Sequence, residues 1–321
     1  MKKKFTKLGI ITALAVILVW GTAAVAKNET PFTLKIGFIP AEDELPLFVG
    51  KERGDFAHAG VDLRLVPFAS AVERDTAFRA GQLDGIVCDL VAVGLFGKGG
   101  MDVKVASITL GAKPEEGRFA LLAAPGSGIT SPSELKGVPV GVSNNSIIEF
   151  VNYQLLSAAG LKPEEIKTIE IPKVPVRLEM LINGQVKAAT LPDPIAALAE
   201  AKGAKVIASD TEFEVNLSPI VYVFTDKALK EKSLALNMFY KTYTDIVQEI
   251  NEDPEKFRSY LLENCRIPKL IEDEYPVPQF PLPTIPTKAE WDLVMDWMVE
   301  KGLLKAALPY EDYFTSKYVV Q

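Results

Sequence analysis

The residues of this 321-residue chain that could do chemistry are mostly acids. Asp89 and Asp193 each follow a run that reads as a buried strand and precede one that reads as a helix. Glu42, Asp43 and Glu44 form a three-acid run just behind another strand. Carboxylates in such places can accept paired N–H groups, hold a cation, or serve as acid and base. Other catalytic side chains are scarce. His58 is the single histidine and falls in an exposed bend between Phe56 and Gly60, so multi-histidine metal sites are excluded. Cys88 and Cys265 are too few for a zinc cluster or a disulfide scaffold; they read as two buried free thiols, with a single bridge between them as the alternative in an exported protein. The stretch from Gly94 to Gly100 is no phosphate loop, because its spacing is wrong and no Ser or Thr follows Lys98.

Composition narrows the class. Apolar residues make up 48% and charged residues 24%, near the globular average, which excludes disordered and fibrous chains. Lys2, Lys3, Lys4 and Lys7 precede an apolar run from Leu8 to Val19, and Ala24-Val25-Ala26 supplies small residues. This pattern predicts a secretory signal at residues 1–26, a mature start at Lys27 and export to a bacterial periplasm. The rival is an uncleaved anchor, since the run nearly reaches the ~20 residues a spanning helix needs. Loss of those four lysines would take the formal charge from −7 to −11. A body that acidic is a poor binder of phosphate backbones, so nucleic acid is excluded as a partner.

The elements that must position the acids alternate strand and helix, which predicts an α/β fold with mainly parallel sheets. Strands are predicted at 34–39, 61–66, 85–88, 103–108, 119–123, 138–142, 168–171, 186–191 and 205–208. Helices fill the gaps, with capping boxes at Ser70/Glu73 and Ser131/Glu134 and glycine stops at Gly54, Gly81 and Gly160. From Asp226 onward the chain reads as helix, interrupted by an extended strap with Pro276, Pro278, Pro281, Pro283 and Pro286. One unit occurs twice. Helix, Gly81-Gln82, strand, Asp89, helix and strand are echoed by helix, Gly184-Gln185, strand, Asp193, helix and strand. Two similar lobes facing across a cleft would produce this echo, with both aspartates at the carboxyl ends of strands, where open sheets bind ligands.

Several segments together resemble a known family. They are Leu45-Pro46 through Gly54-Asp55-Phe56, Gly81-Gln82-Leu83-Asp84-Gly85, Ser127-Gly128-Ile129 through Leu135-Lys136-Gly137, Gly141-Val142-Ser143, and Ala158-Ala159-Gly160-Leu161. Over roughly residues 33 to 305 the chain is similar to the substrate-binding proteins of nitrate/sulfonate/taurine-type ABC importers, which also include thiamine-pyrimidine binders. The resemblance implies a two-lobe, type II periplasmic-binding fold that closes by a hinge on a small solute. It implies a first lobe at 27–111 plus 221–321, a second at 112–220, and crossovers near 110–118 and 215–222. A membrane permease is the implied partner of a monomeric receptor without cofactor or catalytic role.

Carried onto this sequence, the family pattern puts four segments at the cleft. They are the turn holding Glu44, the position of Asp89, the Ser143-Asn144-Asn145-Ser146 turn, and the Leu191-to-Pro194 turn with Asp193. None contains Lys or Arg; Lys173, just after the 168–171 strand, and Arg118, near the first crossover, are the nearest cationic candidates. Ser146 and Glu149 have capping-box spacing, which would occupy a helix N-terminus otherwise open to an anion. Asp89 and Asp193 could equally be plain helix caps, and Glu42-Asp43-Glu44 a solvated loop with Glu44 its ligand-facing member. The acidic lining favours a neutral or cationic nitrogen-rich solute such as an aminopyrimidine, amidine or amine. An anion held around Asn144, Asn145, Ser146 and Lys173 is the alternative, and an exported lyase or synthase is the remote one.

Overall fold

The computed structural model of the protein describes residues 32–319. The expected signal at 1–26 lies outside them. Short apolar runs punctuated by capped helices set the order of elements. It begins with β1 (Thr33–Phe38), α1 (Leu45–Arg53), α2 (Asp55–His58), β2 (Asp62–Pro67), α3 (Ala71–Arg79), β3 (Gly85–Asp89), α4 (Leu90–Lys98) and β4 (Val103–Leu110). A second series follows as β5 (Phe119–Ala123), β6 (Pro139–Val142), α5 (Ile147–Ala158), β7 (Lys167–Glu170), α6 (Val174–Ile182), β8 (Ala188–Pro192), α7 (Ile195–Ala201) and β9 (Lys205–Ser209). The last part is β10 (Ile220–Thr225), α8 (Asp226–Glu231), α9 (Ser233–Glu252), α10 (Arg258–Asn264) and α11 (Lys288–Glu300). Local chemistry fixes the helix starts: Ser70 Oγ accepts from the Glu73 amide to open α3, and Thr287 with Glu290 closes a full capping box on α11.

Ten strands form two five-stranded sheets, ordered β2-β1-β3-β10-β4 and β7-β6-β8-β5-β9. In each sheet four strands run one way. The fifth, β10 or β5, lies antiparallel to both of its neighbours. Each reversed strand follows a crossover from the other sheet, and the two orders superpose position for position. The repeated unit noted in the sequence is therefore α3-β3-α4-β4 in one lobe and α6-β8-α7-β9 in the other. Asp89 and Asp193 stand at matching strand ends.

Two details differ from the sequence reading. Ile220–Thr225 is a buried central strand and not a plain connection, and its Ile-Val-Tyr-Val-Phe-Thr run is as β-prone as any in the chain. Pro132–Leu135 makes only one tight turn, because the Glu134 carboxylate accepts the Thr130 amide and Lys136 leaves helical geometry.

The lobes share more than their crossovers. On one face of each sheet, α4 and α11 of the first lobe and α5 of the second pack into a single apolar core. Phe150 on α5 meets Trp297 on α11 edge to face, ring centroids 5.5 Å apart. Tyr153 donates to Glu300 at 2.7 Å, and Lys301 reaches Glu149 at 2.5 Å. A shallow cavity of about 220 Å³ opens beside this joint, but it borders Pro163 and Ile166 near the amino end of β7, away from the strands' carboxyl ends. The proline-rich stretch runs extended over the first lobe, and its Thr284 carbonyl accepts the Ile108 amide at 2.7 Å. Among the described residues no helix is long and apolar enough to cross a membrane.

Because Trp297 is 3% exposed and bridges both lobes, truncating it strikes a joint and not a surface. Trp297→Ala should cost about 3–5 kcal/mol of unfolding free energy. Urea denaturation should show a lower midpoint.

Candidate ligand-binding cleft

The turn after β1 is the acidic centre of the cleft. Glu42–Glu44 form one tight 3-10 turn leading into α1, with Pro46 in the first helical turn. All three acids are buried, so the solvated loop expected from the sequence is corrected. The reason is packing: the strap and α10 cover the turn, with Tyr275 and Cys265 beside it. Glu44 spends its carboxylate locally, accepting the Ala41 amide at 3.0 Å. Glu42 is the member that looks across the cleft. Its Oε2 accepts the Tyr275 hydroxyl. Burial first, then the negative charge of Asp193, pushes Glu42 up to about 8, against the Tyr275 hydrogen bond and Arg118. Burial also pushes Asp43 up to about 6 and Glu44 well above the usual carboxylate range, the latter with help from Asp43.

Asp89 caps α4, accepting the Ala92 amide at 3.0 Å. Burial raises its pKa, opposed by that amide and by Arg74. Arg74 is itself buried; its Nη1 donates to the Val87 carbonyl at 2.8 Å and its Nε to Asp75 at 2.9 Å.

Across the cleft, Arg118 grips Asp193 with two bonds of 2.9 Å and reaches Glu200 at 2.7 Å. Asp193 also accepts the Ala197 amide at 3.1 Å. The start of α5 is closed from within. The Asn144 and Asn145 amides donate to Glu170 and Glu149, both at 2.6 Å, and the Ile148 amide donates to Ser146 Oγ at 3.2 Å. Asn145 takes the left-handed conformation this turn needs, at φ 56°. Beneath it, fully buried Arg177 donates from Nη1 to Ser143 Oγ at 3.1 Å and the Ile171 carbonyl at 3.0 Å. Its Nε and Nη2 have no partner, and burial pushes the guanidinium down to about 10.

A model of the NMT1-like family matches residues 27–261. This chain belongs to the NMT1-like family. It is 30% identical over 146 residues to the bicarbonate-binding protein CmpA of Synechococcus elongatus, a stretch covering 44% of this chain and 31% of that protein. The chain thus matches less than a third of that relative's length. The periplasmic aliphatic sulphonate binding protein SsuA from Escherichia coli superposes with TM-score 0.74 at 18% identity, over 91% of this chain and 93% of its own. The desulfurization enzyme DSZB has TM-score 0.67 at 13% identity, over 89% and 97%. The two-lobe fold and the nitrate/sulfonate/taurine-type kinship expected from the sequence both hold.

In this NMT1-like chain, then, Glu42, Tyr275, Asp193 and Arg118 are brought together from distant parts of the sequence. Asn144 and Asn145 are exposed on their turn, and Lys173 is an exposed residue at the start of α6. The expectation that no cation stands beside Asp89 and Asp193 is corrected, since Arg74 and Arg118 do. Arg177 was detectable: it sits three residues after Val174 and four before Leu181, on the apolar stripe of its helix. Nothing local marks Tyr275 or Arg74.

Asp193 is 14% exposed at its side chain and relies on Arg118 for charge balance. Replacing Arg118 by Gln should therefore lower stability at neutral pH by about 2–3 kcal/mol, as expected for hydrogen bonds to a charged group. Chemical denaturation of the purified variant checks it, and equal midpoints would mean the pair is dispensable.

Proposed function

We propose that this chain is the periplasmic solute-binding component of an ABC importer, closing on a neutral or cationic nitrogen-rich solute such as an aminopyrimidine, amidine or amine. Residues 27–111 with 221–321 would act as one lobe and 112–220 as the other, hinged at the crossovers and delivering solute to a membrane permease as a monomer. The observation that carries the ligand class is the set of acids made up of buried Glu42 and Asp43 with half-buried Asp89, whose neighbouring arginines Arg74 and Arg118 already hold other carboxylates. A solute that donates N–H groups fits such a lining, and an anion would meet like charge in a dry cleft. The matching place of Asp89 and Asp193 in the two lobes supports a site shared between them.

The role is capture and not catalysis. Burial raises the Cys265 thiol far above the range of a nucleophile, and His58 is exposed on α2 in the first lobe. A second reading is an anionic solute. CmpA and SsuA are named for binding bicarbonate and aliphatic sulphonate, and Arg177 offers a buried cation with two unpaired nitrogens under Ser143.

Mass spectrometry of solute released from natively purified protein should return an unchanged nitrogen-rich compound. Recovery of a sulfonate or carboxylate would install the second reading, and turnover of added solute would sink the receptor role. With the identified compound, Asp89→Asn should weaken binding by on the order of 2–5 kcal/mol in calorimetry while the fold stays intact. Asn caps a helix about as well as Asp, so undiminished binding would reduce Asp89 to a cap.

A further inference from the structure

Glu42 and the second lobe meet in an arrangement that cannot stay fully charged. Glu42 is 6% exposed, and the groups facing it are Asp43 on its own turn, Tyr275 on the strap, and Asp193 and Arg118 on the second lobe, with Cys265 close by. Arg118 is committed to Asp193 and Glu200. Among the described residues the one side-chain hydrogen bond to Glu42 comes from the neutral Tyr275 hydroxyl. The lobes are in contact at this edge as well, since Ala197 and Leu198 of α7 pack against the first lobe's core.

We propose that Glu42 couples closure of the cleft to a proton. The empty cleft closes only with Glu42 protonated, and the nitrogen-bearing group of a solute takes the place of that proton, which leaves to solvent. The solute half of this statement rests on the receptor reading above; the proton half needs only that the lobes separate. Separation takes Asp193 and α7 away from Glu42 and lets water reach its cleft side, so its value falls from the about 8 of the closed arrangement toward the ordinary 4.5. The sign follows. Closure of the empty protein is favoured in full below the ordinary value, and that advantage is lost as pH rises through the closed-state value.

Spin labels can follow the closure without any solute. Val72, 76% exposed at the start of α3, and Val176, 47% exposed at the start of α6, flank the cleft from opposite lobes, while both native cysteines are buried. The doubly labelled V72C/V176C chain, refolded free of solute, should give a longer distance by pulsed electron resonance at about pH 9 than at about pH 5. Adding Glu42→Gln should keep the distance short at both values, because the amide never charges. Adding Tyr275→Phe should move the transition to higher pH, since the lost hydroxyl favours the charged form. A distance that does not respond to pH, a Glu42→Gln chain that opens like the parent, or a Tyr275→Phe transition displaced to lower pH would each overturn the proposal. A null result here leaves solute capture standing, and failure to recover a solute leaves this measurement untouched.

Discussion

Apolar burial between α5 of one lobe and α4 and α11 of the other is the interaction on which the arrangement of this protein depends. Without it, two five-stranded sheets would be joined by two short crossovers and the small contact of α7 with the first lobe. With it, Phe150, Trp297 and their neighbours hold one flank of the cleft together, and any separation of the lobes would open the opposite flank. There Glu42, Asp193 and α7 meet the first lobe. The opposite flank, the mouth of the cleft, combines these polar groups with the smaller apolar contact of Ala197 and Leu198. Polar contacts at the mouth suit this division, because they can be exchanged for water on opening at little net cost, whereas the buried rings cannot.

The electrostatics of the mouth follow from the same division. Two arginines near the cleft are matched to acids of their own lobe: Arg118 to Asp193 and Glu200, Arg74 to Asp75. Each lobe thereby settles its own charges before the two meet. The Glu42-Asp43-Glu44 turn is the exception, with three acids and, among the described residues, no cation bonded to any of them. Buried carboxyls in that position are held neutral or await a donor, and this is the chemical basis for reading the cleft as a receptor for N–H groups.

Much of this was legible in the sequence. The repeat around Gly81-Gln82 and Gly184-Gln185 reported the pseudo-symmetric lobes because each half must build the same strand–cap–helix unit from local signals. Asp89 and Asp193 were legible for the same reason, as polar residues placed between an apolar strand and an apolar helix. What stayed hidden is what depends on distant partners. The Glu42-Asp43-Glu44 run has the composition of a solvated loop, and only the strap arriving more than two hundred residues later buries it. The pairing of Arg118 with Asp193 joins a residue before β5 to one after β8, a relation no local pattern encodes. Arg177 was readable in principle, since a cation within an apolar helical stripe must go somewhere dry.

The strap adds a division of labour along the chain. The NMT1-like match ends at residue 261, whereas the hydroxyl that meets Glu42 belongs to Tyr275 in the extended stretch beyond it. That stretch has no helix or strand of its own between Asn264 and Lys288, yet its Ile267, Ile271, Tyr275, Val277 and Phe280 are buried in the first lobe's core. A change at Tyr275 would therefore reach the acidic turn and the packing beneath the strap together, so in this chain the lining of the cleft is not rewritten without touching the core.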